Sequence, residues 1–267
     1  MTSKVVLITG ASSGIGLATA ELLHEAGFIV YGTSRRTNNA SKYKFHLIEL
    51  DVNHDDSVNH AVEKVLENEG RIDVLINNAG FAIAPAGAEE SSMQQAQAIF
   101  DTNFFGAVRM TRAVLPVMRE QKSGLILNIS SILGLLPTPF GALYSASKHA
   151  LEGYSESLDH ELRSQGIRVS LIEPAYTKTS LGINLLEADA KVSAYDHIRE
   201  KLHQHMIKSI NKSDDASVVA KTILTVINSQ NILPRYTSGK AAKHLKNLRK
   251  FAPVKIFDTL IQRSLKV

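Results

Sequence analysis

The segment Val5-Val6-Leu7-Ile8 runs without a break into Thr9-Gly10-Ala11-Ser12-Ser13-Gly14-Ile15-Gly16 and then into Ala18-Thr19-Ala20-Glu21-Leu22-Leu23. No other stretch restricts the fold so narrowly. A run of consecutive apolar residues, mostly β-branched, describes a strand covered on both faces, the habit of parallel sheets. The residues after Gly16 favour helix, so the glycines occupy a strand-to-helix turn. Such a turn lets backbone N–H groups approach an anion at the positive end of a helix. The spacing is G-x-x-x-G-x-G instead of G-x-G-x-x-G, so the turn is compatible with a dinucleotide pyrophosphate without demanding one.

The same alternation continues along the chain. Apolar runs at 4–9, 28–34, 45–50, 72–77, 124–130 and 167–173, with a weaker one near 231–234, predict strands. Helical patterns fall near 14–26, 55–69, 92–119, 143–164 and 214–229. Strands alternating with helices form βαβ units and a parallel sheet clothed on both faces. With right-handed crossovers the expected architecture is α/β: a three-layer, doubly wound fold with seven parallel strands in the order 3-2-1-4-5-6-7. Ligands then bind at the carboxyl ends of the strands. The 267 residues suit one such domain with a substantial core. No repeat, low-complexity tract or Pro/Gly linker divides them, so residues 1–267 are read as a single domain.

Chemistry enters with Tyr144-Ser145-Ala146-Ser147-Lys148, at the start of the predicted 143–164 helix. Positions i and i+4 share a helix face, so the phenol and the ammonium emerge side by side. A phenol titrates near ~10 in water and is a poor acid-base group at neutral pH. A fixed cation nearby favours the phenolate and brings that pKa toward working range. Ser131, thirteen residues upstream, can share a carbonyl oxygen with the tyrosine from another element. This trio suits passing a proton to or from a carbinol oxygen while another group takes the hydride. Y-x-x-x-K alone equally describes an ordinary exposed pair; the independent glycine turn distinguishes the two readings.

Over residues 4 to about 180 the chain resembles the single-domain branch of the short-chain dehydrogenase/reductase family, which implies a Rossmann fold. Gly10, Ser12, Ser13, Gly14, Ile15 and Gly16 lie in the stretch that resembles the cofactor loop, and Asp51-Val52 resembles the adenine contact. Asn78, Ala79 and Gly80 belong to Asn77-Asn78-Ala79-Gly80, similar to the family's N-N-A-G. Asn103, in Asp101-Thr102-Asn103-Phe104-Phe105-Gly106, matches the helix asparagine that holds a relay water. Ser131, not its neighbour Ser130, matches the catalytic serine by its distance from Tyr144. Pro174-Ala175-Tyr176-Thr177-Lys178-Thr179 resembles P-G-x-x-x-T, with Pro174, Thr177 and Thr179 as candidate carboxamide contacts. Ala175 stands where the family has glycine; if that position required φ > 0, alanine would cost about 1 kcal/mol or more. The resemblance implies that Tyr144 exchanges the proton, Ser131 holds the substrate oxygen, and Lys148 lowers the tyrosine pKa and grips the nicotinamide ribose. The pro-S hydride then moves between nicotinamide and a carbonyl carbon. The alternative is a non-catalytic NADP-sensing regulatory protein on the same fold. Such members usually lose the tyrosine or the lysine, and this chain keeps both.

The cofactor is argued from the second strand, which ends in Ser34-Arg35-Arg36 without a carboxylate. An acidic residue there would bind the ribose hydroxyls of NAD and repel a 2′-phosphate. Two guanidiniums can instead grip that phosphate and stack on adenine, with Ser13 as a further donor. NADP(H) is therefore expected over NAD(H).

Residues 180–212 are read as a substrate lid, with Leu181, Ile183, Leu185, Leu186, Tyr195, Ile198 and Met206 on one or two amphipathic helices. Phe81, Ile83, Leu133, Leu135, Leu136 and Phe140 flank the catalytic loop. Together they imply a small apolar carbonyl or alcohol, steroid-like, retinoid-like or fatty-acyl, although ordinary packing explains most of them equally well. His197, His203 and His205 sit among charged residues without a paired acid or cysteine, so no metal site is expected.

Residues 237–267 form a basic amphipathic extension: eight Lys/Arg against Asp258 give +7, leaving −3 for the rest of a chain whose net charge is +4. Ala241, Ala242, Leu245, Leu248 and Ala252, then Phe257, Leu260, Ile261 and Leu265 after Pro253, recur at helical spacing. Two helices covering the pocket mouth are the reading adopted; peripheral contact with acidic lipid is the alternative. Similar tails occur in hydroxysteroid-dehydrogenase-like members of the family. Nucleic-acid binding has no support beyond the pI of about 9.1. The absence of cysteine removes disulfides and thiolate metal sites. Met1-Thr2-Ser3-Lys4 leads straight into the first strand and no apolar stretch approaches ~18 uncharged residues, so a cytoplasmic protein is expected. Family resemblance suggests a homodimer or homotetramer through the helices at 92–119 and 143–164.

Overall fold

The computed structural model describes residues 3–37, 40–178 and 185–264. Seven strands form one parallel sheet: β1 (Val5–Ile8), β2 (Ile29–Ser34), β3 (His46–Glu49), β4 (Val74–Asn77), β5 (Gly124–Ile129), β6 (Ile167–Pro174) and β7 (Arg235–Ser238). Their spatial order is β3-β2-β1-β4-β5-β6-β7, the doubly wound arrangement expected from the sequence. The helices are α1 (Gly14–Glu25), α2 (Asp55–Glu69), α3 (Met93–Phe100), α4 (Gly106–Gln121), α5 (Ala142–Leu162), α6 (Asp196–Asn211), α7 (Ala216–Ile227), α8 (Lys240–Phe251) and α9 (Val254–Ser264).

Period-two alternation along the strands feeds two cores. Val5 and Leu7 point to one face with Leu75 and Ile126, where Val58 and Val62 of α2, Met110 and Val114 of α4, and Leu158 of α5 cover them. Val6 and Ile8 point to the other with Ile76 and Leu127, under Ala20 and Leu23 of α1 and Ile223 and Val226 of α7. Each central strand is thus buried on both sides, which is why its residues are almost uniformly apolar.

Two predicted elements differ from those observed. The expected 92–119 helix is α3 and α4 joined by a π-helical turn, Asp101–Phe105. That wider turn carries one residue more than the 3.6 period and buries Asn103 to 2% exposure. The seventh strand lies at Arg235–Ser238, not at 231–234. Its side chains are more polar because it is an edge strand, paired only with β6.

The excursion between β6 and α7 is closed at its base by a parallel two-residue pairing of Thr177–Lys178 with Asp214–Asp215. It is tied to the body a second time where Ala82–Ile83 pairs with Leu185–Leu186.

Candidate active site

The site lies at the carboxyl ends of β1, β4, β5 and β6. Ser131 follows β5 directly and its Oγ accepts a hydrogen bond from Leu133 N at 3.1 Å. Its hydroxyl faces the Tyr144 phenol in the first turn of α5 and favours the ionised form of that phenol. Lys148, one turn further along, is 5% exposed; its Nζ lies 5.7 Å from the centroid of the Tyr144 ring and donates to Ile129 O at 2.9 Å. Asn103 reaches the same place from the π turn. Its Nδ2 donates to Phe81 O at 2.9 Å and to Ser147 Oγ at 3.2 Å, while its Oδ1 accepts from Phe81 N at 2.9 Å. Ser147 Oγ in turn donates to Tyr144 O at 2.8 Å. The four predicted catalytic side chains therefore converge, and Ser147, which the sequence reading passed over, links two of them.

The electrostatics depart from one expectation. Burial pushes the Tyr144 phenol up to about 12, with the Ser131 hydroxyl pulling the other way and Tyr176 adding to the rise. The Lys148 ammonium donates to the Ile129 carbonyl, and desolvation depresses its own pKa to about 8. Glu152, a further turn along α5, opposes that depression. Glu152 is 5% exposed and its carboxyl is pushed up to about 7, chiefly by burial, with the nearby Ser130 hydroxyl pulling the other way. Its Oε2 lies 3.3 Å from Arg235, which also approaches the wholly buried Glu173 at 3.2 Å and pairs with Glu156. Lys246 of α8 stands 3.8 Å from Glu173. A line of alternating charge thus runs from Lys148 to the C-terminal helices. Its sequence signal was Glu173 interrupting an apolar strand and Glu152 sharing the helix face of Tyr144 and Lys148.

The glycine turn has the shape a dinucleotide needs. Gly10 and Gly14 adopt φ of +69° and +58°, conformations in which a side chain is strained. A Cβ on Gly16 would run into Gly10 O and Asn78 Nδ2, so α1 packs against the turn as closely as backbone allows. Ser13 caps α1 without a side-chain bond, which leaves the first-turn N–H groups for an anion. Asn78 braces the turn, its Nδ2 donating to Thr9 O at 2.9 Å and Gly10 O at 3.0 Å. Thr9 Oγ1 accepts from Asn78 N and Ala79 N, each at 2.9 Å. A Cβ on Gly80 would stand 2.9 Å from Asn103 Oδ1, so this loop, too, lies against the catalytic set.

At the other end of the cradle Arg35 and Arg36 are exposed just beyond β2, and Arg36 N donates to Ser34 Oγ at 3.3 Å. Ser12 is exposed and Ile15 half-buried on the turn itself. Asp51 uses Oδ1 to accept from Asn53 N at 3.0 Å, and Val52 is buried against Gly106. Pro174 ends β6 opposite Ser238. Ala175 is not strained: among the described residues only Lys122 and Phe140 are non-glycine residues with positive φ, so the possible penalty at that position does not arise. Thr177 Oγ1 donates to Ala175 O at 3.1 Å. Thr179, with Leu181 and Ile183 of the expected lid, lies outside the described residues.

The apolar residues expected to line one pocket divide into two clusters. Phe81 and Ile83 pack with Ala86, Ile99 and Ala188 against Tyr144. Leu133, Leu135 and Leu136 pack instead with Ile132 against Leu245, Phe257 and Ile261 of the C-terminal helices. The 185–199 segment is fastened beside the first cluster by Glu90, which is fully buried: its carboxylate accepts from Gly87 N at 2.6 Å and Val192 N at 2.8 Å and pairs with Arg199. Ser92 adds two bonds to Asp189, at 2.7 and 2.6 Å. Phe140 meets Tyr195 of the lid edge-on, with ring centroids 5.5 Å apart. His197, His203 and His205 are exposed on α6, and no group of three or more potential metal ligands occurs among the described residues.

Residues 4–190 match the sequence model of a family described as short chain dehydrogenase. A 3-ketodihydrosphingosine reductase of Bacteroides thetaiotaomicron is 47% identical over 189 residues, 69% of this chain and 68% of that protein. A short-chain dehydrogenase from Streptomyces avermitilis superposes with a TM-score of 0.82 at 35% identity, covering 93% of this chain and 95% of the other. A Burkholderia phymatum short chain dehydrogenase/reductase in complex with NAD superposes with a TM-score of 0.82 at 25% identity and 93% coverage of both chains. ElxO with NADP bound gives 0.74 at 27% identity, covering 88% of this chain and 97% of that one.

Proposed function

This chain belongs to the short-chain dehydrogenase family, and on that premise we propose that it is an NADP(H)-dependent oxidoreductase interconverting a ketone and a secondary alcohol on a long aliphatic chain. The observation that carries the reading is the Tyr144 phenol facing the Ser131 hydroxyl, with the Lys148 ammonium 5.7 Å from the ring centroid one helical turn away. A nicotinamide bound in the cradle supplies a hydride to the carbonyl carbon. Ser131 holds the carbonyl oxygen by its hydroxyl, and Tyr144 gives that oxygen its phenolic proton. Asn103 fixes the Phe81 backbone and Ser147, and through them the start of α5. The ammonium of Lys148, 5.7 Å from the centroid of the tyrosine ring, offsets the phenolate left behind.

The cofactor preference is supported by Arg35 and Arg36 and by the lack of a carboxylate at the end of β2. Relatives of this fold are found with either cofactor, so the preference rests on these side chains. Of the three apolar substrate classes, the fatty-acyl type is favoured by the 47% identical relative, whose name specifies a ketone on a sphingoid chain. The test is oxidation of NADPH and of NADH over a series of ketones of increasing chain length. NADPH should be preferred, with kcat/KM rising as the chain lengthens. Preference for NADH would overturn the cofactor assignment. Tight NADPH binding without turnover of any ketone, or of the matching alcohols with NADP, would favour the sensing alternative.

A further inference from the structure

The C-terminal helices have two faces, and the active site accounts for one. Phe257 is buried and packs, with Ile261, Leu245 and Ala252, on Ile132 and Leu136 just beyond Ser131. Away from that contact, Phe251 is 72% exposed, Val254 78%, Ile256 54% and Leu260 39%. Single exposed apolar side chains are ordinary. Here Phe251 and Val254 flank the elbow where α8 gives way to α9, Ile256 and Leu260 share a face of α9 one turn apart, and the charge around them is predominantly positive. Arg249, Lys250, Lys255 and Arg263 are exposed between them, with Asp258 the one acid in the extension. The Lys250 ammonium lies 5.2 Å from the Phe251 ring centroid and the Arg249 guanidinium 4.7 Å from that of Phe257. The charged heads thus lie over the aromatic faces, the cation–π arrangement, with their stems along the same apolar surface.

We propose that this elbow docks on an anionic bilayer surface, with Phe251, Val254, Ile256 and Leu260 entering the headgroup region and the surrounding cations meeting lipid phosphates. None of the described helices is long and apolar enough to cross a membrane, so the contact is peripheral. A second copy of the extension fits the patch less well, because each carries +7 and offers a single acid, Asp258, against eight cations. The consequence rests on the function proposed above: docking anchors the helices that pack on the loop after Ser131, and so keeps the site near a bilayer in which a long-chain ketone is dissolved.

The test is cosedimentation of the full chain with phosphatidylcholine vesicles containing about one third phosphatidylglycerol, and with phosphatidylcholine alone, at physiological ionic strength. Binding should be at least ~10-fold stronger to the anionic vesicles and be lost at about 1 M salt. The double variant Phe251→Ser/Val254→Ser should lose it while keeping its circular dichroism spectrum and its NADPH affinity. Equal binding to both vesicles, none to either, or binding retained by the double variant overturns the proposal. So does a wild-type dimer in sedimentation velocity, without lipid, that the double variant converts to monomer, since the patch then belongs to a second copy. Vesicle binding with no turnover of any ketone supports docking and sinks the catalytic reading instead.

Discussion

Lys148 answers two opposed demands. Burial strips water from its ammonium and lowers its pKa to about 8, and Glu152 works to keep the charge. The groups facing this pair are Tyr144 and Glu156 on the same helix, Ser130 and the Ile129 carbonyl at the end of β5, Glu173 on β6, Arg235 on β7 and, beyond Glu173, Lys246 on α8. A lysine whose pKa is held up by a carboxylate loses its proton at lower pH once the carboxylate is neutralised. Glu152→Gln should therefore move the alkaline limb of kcat/KM toward lower pH by about one unit. Glu173→Gln, one step further from the lysine, should move it less. If the limb stays in place in Glu152→Gln, that residue serves packing alone. The sequence places Tyr144, Lys148 and Ser131 because their spacing is local. It does not reveal that the phenol is pushed up to about 12, since that follows from burial by residues far along the chain.

Among the elements, the end of β2 and the lid make separate demands. Replacing Arg35 and Arg36 together by alanine should weaken NADPH by roughly 2–3 kcal/mol, as expected for lost charge-assisted bonds, and leave NADH almost unchanged. Equal weakening in calorimetric titrations of both cofactors would show that neither guanidinium reads the phosphate. The 185–199 segment, the proposed lid, is held by Glu90. Burial alone would raise its pKa, yet bonds from Val192 N and Gly87 N and the Arg199 guanidinium hold it below the usual carboxylate range. Arg199→Met leaves that carboxylate buried without its cation. The 185–199 segment should then open more often, seen as faster proteolysis there and a KM for the ketone raised about tenfold. An unaltered cleavage rate would locate the fastening elsewhere.

The strand and helix order was legible because each central strand is apolar on both faces and each helix carries one apolar stripe. The π turn at Asp101–Phe105 was not, because helical periodicity reads through it. The Glu90–Arg199 latch was not either, since it joins residues 109 positions apart, a separation no local pattern records. The final strand was displaced in the reading because Ile232, Leu233 and Pro234 are more apolar than the edge strand they lead into.

At the scale of the molecule, the C-terminal helices close one side of the catalytic loop and complete its charge network. A chain ending at Gly239 keeps β7 whole and retains every proposed cofactor contact. It uncovers Ile132 and Leu136 and removes Lys246 from the buried Glu173. It should bind NADPH with little change yet unfold at lower denaturant concentration, with a poorer kcat/KM on long-chain ketones. Unchanged stability and kinetics would show that the extension contributes nothing to the body. The central claim, that Tyr144 delivers the proton to a carbonyl oxygen held by Ser131, is tested most directly by single-turnover NADPH oxidation in Tyr144→Phe. The ring and its packing remain and only the phenolic proton is lost, so the chemical step should slow by at least ~10² with NADPH affinity nearly unchanged. A near wild-type rate on a good ketone would contradict it.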